Sequence, residues 1–157
     1  MAEAANPPRG AGSGAPSLPL RERMDALGRE LAARESEHTV GLASATQTAL
    51  ALHEQVGEAL EAFHAAAREA GAPQLAVILS TVRVDDKHLR AVQFDLRRGR
   101  HAAIVTVKTR GEVILVGPFQ QGKDEGPCRR FPVTAEREIE AGLGDFLTAF
   151  LNQAATP

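Results

Sequence analysis

The sequence predicts an α+β fold with a long N-terminal helix, a four-stranded antiparallel β-meander and a C-terminal amphipathic helix. Apolar residues recur every three or four positions up to Ala70, every second position over much of residues 74–119, and again every three or four positions from Ile139. A period near 3.6 is typical of a helix that buries one face, and a period of two is typical of a strand. The order of these periods predicts the order of the elements.

The N-terminal part of the chain divides into a tail and a helical segment. Residues 1–16 are mostly Ala, Gly, Pro and Ser, and we expect them to be a disordered tail. Residues 17–72 form the helical segment, with Ser17 as its predicted N-cap. Gly71, followed closely by a proline, ends the helix.

Two apolar stripes follow this helical segment. The first contains Leu20, Met24, Leu27 and Leu31, and the second contains Leu42, Ala45, Ala49, Leu52, Val56, Ala59, Phe63, Ala66 and Ala70. The stripes differ in heptad phase, which predicts a bend, a local unwinding or a turn between residues 35 and 41. No proline lies there, so a continuous but imperfect helix is favoured over a helical hairpin.

The length of this helix predicts self-association. A continuous helix over residues 18–70 would be about 80 Å long, whereas a strand of ten residues spans about 33 Å. We therefore expect the helix to bind another protein through a coiled-coil seam, most simply a second copy in a homodimer. The predicted partner-binding residues are Leu42, Ala45, Ala49, Leu52, Val56 and Phe63. The alternative is that this stripe packs against the sheet of its own chain.

Residues 73–153 are expected to form one α+β domain, followed by a frayed tail at 154–157. Alternating apolar residues predict strands over Gln74–Val84, Leu89–Arg98, His101–Thr109 and Glu112–Phe119, joined by hairpin turns. Three glycines and three prolines predict a long loop over residues 117–133. Thr134 then caps a helix with one apolar stripe, formed by Ile139, Leu143, Phe146, Leu147, Phe150 and Leu151.

Charge is distributed unevenly between these segments. Residues 73–133 contain 11 Lys and Arg against 6 Asp and Glu, whereas both helical segments are net acidic. The favoured interpretation is that helices and sheet complement each other, and the alternative is an anion-binding or nucleic-acid-binding sheet. Its candidate residues are Arg97, Arg98, Arg100 and His101 at one hairpin tip. Nucleic acid is not favoured, because the strands offer few aromatic side chains for base stacking.

The predicted loop contains a second candidate site, formed by Lys123, Cys128, Arg129 and Arg130. Neighbouring cations favour the thiolate, which is the reactive form of cysteine. A nucleophilic cysteine also needs a base and an oxyanion hole, and the neighbouring sequence contains neither. A thiol-dependent enzyme is therefore the least favoured hypothesis.

The leading hypothesis is a non-enzymatic interaction or regulatory module. No motif specifies a reaction, a cofactor or a metal site. The single cysteine is typical of a reducing compartment, and the first residues lack the pattern of a secretory signal. We therefore expect a cytoplasmic protein with no membrane partner.

Overall fold

The computed structural model describes residues 18–85, 90–120, 122 and 126–155. Its elements are helix α1 (Leu20–Glu69), a 3-10 helix (Pro73–Leu75), strands β1 (Ile78–Leu79), β2 (Arg83–Asp85), β3 (Ala91–Arg98), β4 (His101–Lys108), β5 (Glu112–Gln120) and β6 (Cys128–Pro132), and helix α2 (Glu136–Ala155). The predicted α+β class is confirmed, with six strands among the described residues in place of four. The expected tail at 1–16 and the Ser17 cap lie outside the described residues.

Helix α1 is continuous, and the alternative of a helical hairpin near residues 35–41 is wrong. The chain forms two compact units, which divide between Ser36 and Glu37 inside this helix. In the first unit, the helix is supported by two exposed ion pairs between residues four apart. Arg29 Nε lies 3.0 Å from Asp25 Oδ2, and an Arg34 guanidinium nitrogen lies 2.6 Å from Glu30 Oε1. Such pairs add a few tenths of a kcal/mol each, about 0.2–0.5.

The sheet in the second unit is antiparallel throughout, in the order β1-β3-β4-β5-β6. Strand β2 pairs with β3 at the same edge as β1, so β1 and β2 are two parts of one interrupted edge strand. The β3–β4 hairpin turns at Gly99, whose φ of 58° suits a residue without a side chain. The predicted meander is therefore present, with irregular strands added at both edges.

Both helices cover the same face of the sheet. The His53 ring of α1 contacts the Phe94 ring of β3 edge to face, with 5.0 Å between the ring centroids. Helix α2 approaches Phe131 of β6 so closely that a Cβ added at Gly142 would lie 2.6 Å from the ring. Phe94 and Phe131 are in phase across the intervening strands, so the core forms between this face and the two helices. The opposite face lies away from both helices.

The first predicted strand is interrupted at Ser80, because the backbone carbonyl of this residue forms a hydrogen bond with a side chain of α1. Nε2 of His53 donates to the Ser80 carbonyl over 2.8 Å, which takes that acceptor away from the sheet. The Ser80 hydroxyl replaces it and accepts the Asp95 N–H at 2.8 Å. Residues 74 and 75 are not in a strand, because they belong to the 3-10 helix. The prediction of one strand over Gln74–Val84 is therefore only partly correct.

The predicted long loop is mostly a hairpin between β5 and β6. Strand β6 pairs with β5 from Val116 opposite Cys128 to Glu112 opposite Pro132. Its arginines and Pro132 are tolerated because β6 is an edge strand, where charged residues and proline interrupt no further pairing. The sequence analysis predicted a loop here because glycines and prolines surround this short strand, and no alternation of apolar residues is apparent in it.

Helix α2 was predicted accurately on its apolar face. Ile139, Leu143, Phe146, Leu147 and Phe150 are buried, and Leu151 is partly buried against the core. Their spacing of three or four residues places them all on the side that meets the sheet.

Candidate functional site

The open face of the sheet contains a groove of about 440 Å³ at the β3–β4 turn, here called the hairpin groove. Its polar side chains come from Asp95, Arg97 and Arg100, and its apolar walls come from Ile78, Ala102, Ile104 and Phe119. His101 borders the groove at the start of β4. Alternation along β3 and β4 brings Asp95, Arg97, Ala102 and Ile104 to this face. His101 pairs with Arg98 and shares the face of Arg98. Of the four residues predicted at the basic tip, the open face thus brings together Arg97 and Arg100, whereas Arg98 and His101 belong by register to the covered face.

Asp95 lies between two arginines at the edge of this groove and is only 4% exposed. Arg97 Nε donates to its Oδ2 over 3.0 Å, and an Arg83 guanidinium nitrogen lies 3.4 Å from its Oδ1. Burial opposes ionisation, but the Ser80 hydrogen bond and the charges of Arg83 and Arg97 outweigh it, so the pKa of Asp95 is lower than usual. The ionised carboxylate neutralises part of the positive charge at the groove.

Arg98 belongs to the fold and not to the groove. Its guanidinium donates to the backbone carbonyl of Ala154 at the end of α2 and, over 3.1 Å, to that of Gln74. Arg98 is in phase with Phe94 and Leu96, so it points to the side of the sheet that the helices cover. That alternation was readable from the sequence and separates Arg98 from Arg97.

Arg100 is the groove residue with the greatest freedom to meet a ligand. Within the described part of the chain, its side chain has no hydrogen bond and no ion pair. Arg100 is exposed in the turn, and His101 is half-buried at the start of β4. The cations of Arg97 and Arg100 beside apolar walls can bind an anionic group attached to an apolar body.

The second candidate site, predicted from Lys123, Cys128, Arg129 and Arg130, is not brought together, because successive residues of strand β6 face opposite sides of the sheet. Cys128 is exposed on β6, while Lys123 lies outside the described residues. The Arg129 guanidinium lies 3.6 Å from Asp145 of α2 and 5.2 Å from the centre of the Phe131 ring. Arg130 points to the other face and lies 3.5 Å from Glu112. Both guanidinium groups therefore have carboxylate partners, and among the described residues no base is hydrogen-bonded to the thiol.

The predicted partner-binding stripe lies largely in the core of its own chain. Ala45, Ala49, Leu52 and Val56 are buried there, Leu42 packs against them, and Phe63 is half-buried. After Val56 the next buried residue is Leu60 and not Ala59, because the buried face of a straight α-helix shifts gradually relative to a repeat of three and four residues. At Gly41 the helix approaches its own chain closely, since a Cβ added there would lie 2.6 Å from the Thr109 carbonyl oxygen. A partner role for these residues stays a prediction.

The other stripe of α1 is exposed, and we call it the N-terminal stripe. It consists of Leu20, Met24, Leu27 and Leu31, which are 72%, 50%, 42% and 48% exposed. Four large apolar side chains on one side of a helix form a surface that soluble proteins rarely leave uncovered.

Sequence reasoning missed the two histidines that hold the edge strand. His53 bonds to Ser80 as described, and Nε2 of His64 accepts the Val77 N–H over 2.9 Å. The two rings use opposite roles at Nε2, donor in His53 and acceptor in His64. No sequence signal distinguishes them from solvated histidines, because their partners are backbone groups distant in the sequence.

Comparisons with other proteins give no further assignment: no family model, no curated protein and no solved structure matches this chain. Among the described residues, no group of three His, Cys, Asp or Glu side chains could hold a metal ion. The described helices include none that is long and apolar enough to cross a membrane.

Proposed function

We propose that this protein is a non-enzymatic interaction module that self-associates through the N-terminal stripe. The observation that carries the proposal is the exposure of Leu20, Met24, Leu27 and Leu31, each at least 42% exposed, at spacings of four, three and four. This spacing is that of the a and d positions of a coiled coil, which bury such residues against another helix. The partner is a second copy, because the same stripe is self-complementary in a two-fold dimer.

The size of the stripe sets the expected affinity. Four residues over three turns make a short interface, below the area typical of permanent complexes. We therefore expect a reversible dimer whose population rises with protein concentration in the micromolar range.

Sedimentation equilibrium of the full chain tests this proposal. The double variant Leu27→Ser/Leu31→Ser should shift the protein to the monomer, because two of the four apolar side chains of the stripe are then replaced by polar ones. The matched control is Leu50→Ser, which removes a leucine of α1 that is 52% exposed and lies outside the stripe. A monomeric wild type, or equal behaviour of both variants, would contradict self-association through the stripe.

A second candidate function is binding of a small amphipathic anion in the hairpin groove. It is favoured by the convergence of Arg97 and Arg100 on apolar walls. The volume of about 440 Å³ suits a small ligand. Phe119 is the only aromatic ring besides His101 in this lining, which disfavours a stacked nucleic-acid strand.

Monomeric dodecanoate is a suitable probe, with dodecanol as the uncharged control. We expect calorimetric binding of the acid that Arg97→Ala/Arg100→Ala weakens at least tenfold and that the exposed control Arg137→Ala leaves unchanged. Asp95→Asn should strengthen binding, because it removes the negative charge that pairs with Arg83 and Arg97. Equal binding of acid and alcohol would contradict an anion site.

A further inference from the structure

The charged residues beside the N-terminal stripe indicate the relative orientation of the two helices in a dimer. This inference rests on the self-association proposed above. We infer that the two copies pair antiparallel, with Met24 of one copy facing Leu27 of the other. Leu20 then faces Leu31, so all four apolar residues of each copy meet an apolar residue.

Heptad positions define the neighbours of the stripe. With Met24 and Leu31 at a and with Leu20 and Leu27 at d, Arg23 and Glu30 occupy g positions. The e positions hold Arg21, Gly28 and Glu35. All five residues are exposed on α1, beside the stripe.

Parallel pairing places like charges together. A g residue then faces the e residue five positions further along the other copy, so Glu30 would meet Glu35 on both sides of the dimer. Arg23 would meet Gly28, which has no side chain to pair with. The next d position holds Arg34, whose side chain is 69% exposed, and parallel pairing would set Arg34 opposite itself.

Antiparallel pairing places opposite charges together. In this orientation g residues face g residues, and the layers defined above bring Arg23 of each copy beside Glu30 of the other. The dimer thereby gains two symmetric ion pairs, and Arg34 moves out of the apolar layers. Because the contacts flanking a coiled-coil seam set helix orientation, this difference selects the antiparallel arrangement.

Charge reversal at Glu30 discriminates between the orientations by sedimentation equilibrium. In the antiparallel dimer, Glu30→Arg opposes Arg23 of the other copy, and we expect self-association about tenfold weaker. In a parallel dimer the same change would face Glu35 and strengthen association. Arg23→Glu should also weaken the antiparallel dimer, whereas in a parallel dimer it faces Gly28 and has no effect.

Mixing the two variants provides the positive result. Arg23→Glu and Glu30→Arg chains should form a heterodimer tighter than either homodimer, because every facing pair is then opposite in charge. The control is Asp25→Arg, which makes the same change of charge at a position away from the stripe. Like Glu30→Arg, it takes the carboxylate partner from an arginine four residues further along the helix, here Arg29. Stronger self-association of Glu30→Arg, or equality of all variants with this control, would overturn the antiparallel orientation while leaving self-association intact. A monomeric wild type would instead overturn the proposed function.

Discussion

Nε2 of His53 donates a hydrogen bond of 2.8 Å to the carbonyl of Ser80, and this bond joins α1 to the edge of the sheet. Because that carbonyl turns to the helix, the Ser80 hydroxyl accepts the Asp95 N–H in its place. One serine thus supplies two acceptors at the point where the edge strand is interrupted. Its position also fixes Asp95 beside the hairpin groove.

Replacing Ser80 tests this substitution of acceptors. Ser80→Ala should destabilise the protein by about 1–3 kcal/mol, because the Asp95 N–H loses its partner in a largely buried position. Urea unfolding measures the change. Thr81→Ala is the control, since this neighbouring side chain is exposed and should change stability by less than about 0.5 kcal/mol. Equal effects of the two changes would contradict the role of the Ser80 hydroxyl.

Asp95 should make stability depend on acid pH. Its pKa is below the ordinary value of 3.8 in the folded protein, so folding favours the ionised carboxylate. The resulting stabilisation is complete above the ordinary pKa and is lost as pH falls through the lower folded value. Urea unfolding from about pH 5 to about pH 2 should therefore show a smaller loss for Asp95→Asn than for wild type. Parallel pH curves for the two proteins would exclude this linkage.

Arg98 is expected to stabilise the junction between β3, the 3-10 helix and α2. Arg98→Met keeps most of the aliphatic side chain but leaves the carbonyls of Ala154 and Gln74 without their donor. We expect a loss of about 1–3 kcal/mol in thermal or urea unfolding. Arg100→Met, two residues away in the exposed turn, should be nearly neutral. A large loss for Arg100→Met and none for Arg98→Met would refute this division of roles.

Two glycines of α1 should respond oppositely to alanine. A Cβ at Gly28 meets no atom within 4 Å, so Gly28→Ala should stabilise the helix locally by about 0.8–1 kcal/mol. Slower amide hydrogen exchange around residue 28 measures this gain. Gly41→Ala should instead destabilise the second unit by about 1–3 kcal/mol in urea unfolding, because its Cβ would collide with the Thr109 backbone. Stabilisation by Gly41→Ala would contradict the close approach.

Periodicity predicted the regular elements well, and contacts between distant residues explain the rest. The buried face of α2 and strands β3 to β5 follow directly from apolar spacing. The interruption at Ser80 depends on His53, which is 27 positions away in the sequence. Strand β6 is short and edge-bound, so glycines and prolines dominate its local signal.

At the candidate sites, too, periodicity predicted the residues but not the contacts between distant parts of the chain. Spacing identified both stripes of α1 as apolar, but it could not decide whether the second stripe packs against the sheet of its own chain; Ala49 is buried in the core, and Leu27 is exposed. Likewise, the cluster of basic residues and its alternation with Asp95 were evident in the sequence, whereas Phe119 joined the hairpin groove only through strand pairing.

Sedimentation equilibrium of the wild-type chain across the micromolar range tests the central claim most directly. Self-association through the N-terminal stripe predicts an average mass that rises from the monomer value of 16.7 kDa toward twice that value. Leu27→Ser/Leu31→Ser should abolish this rise, and Leu50→Ser should retain it. A mass that stays at the monomer value at every concentration would contradict the account.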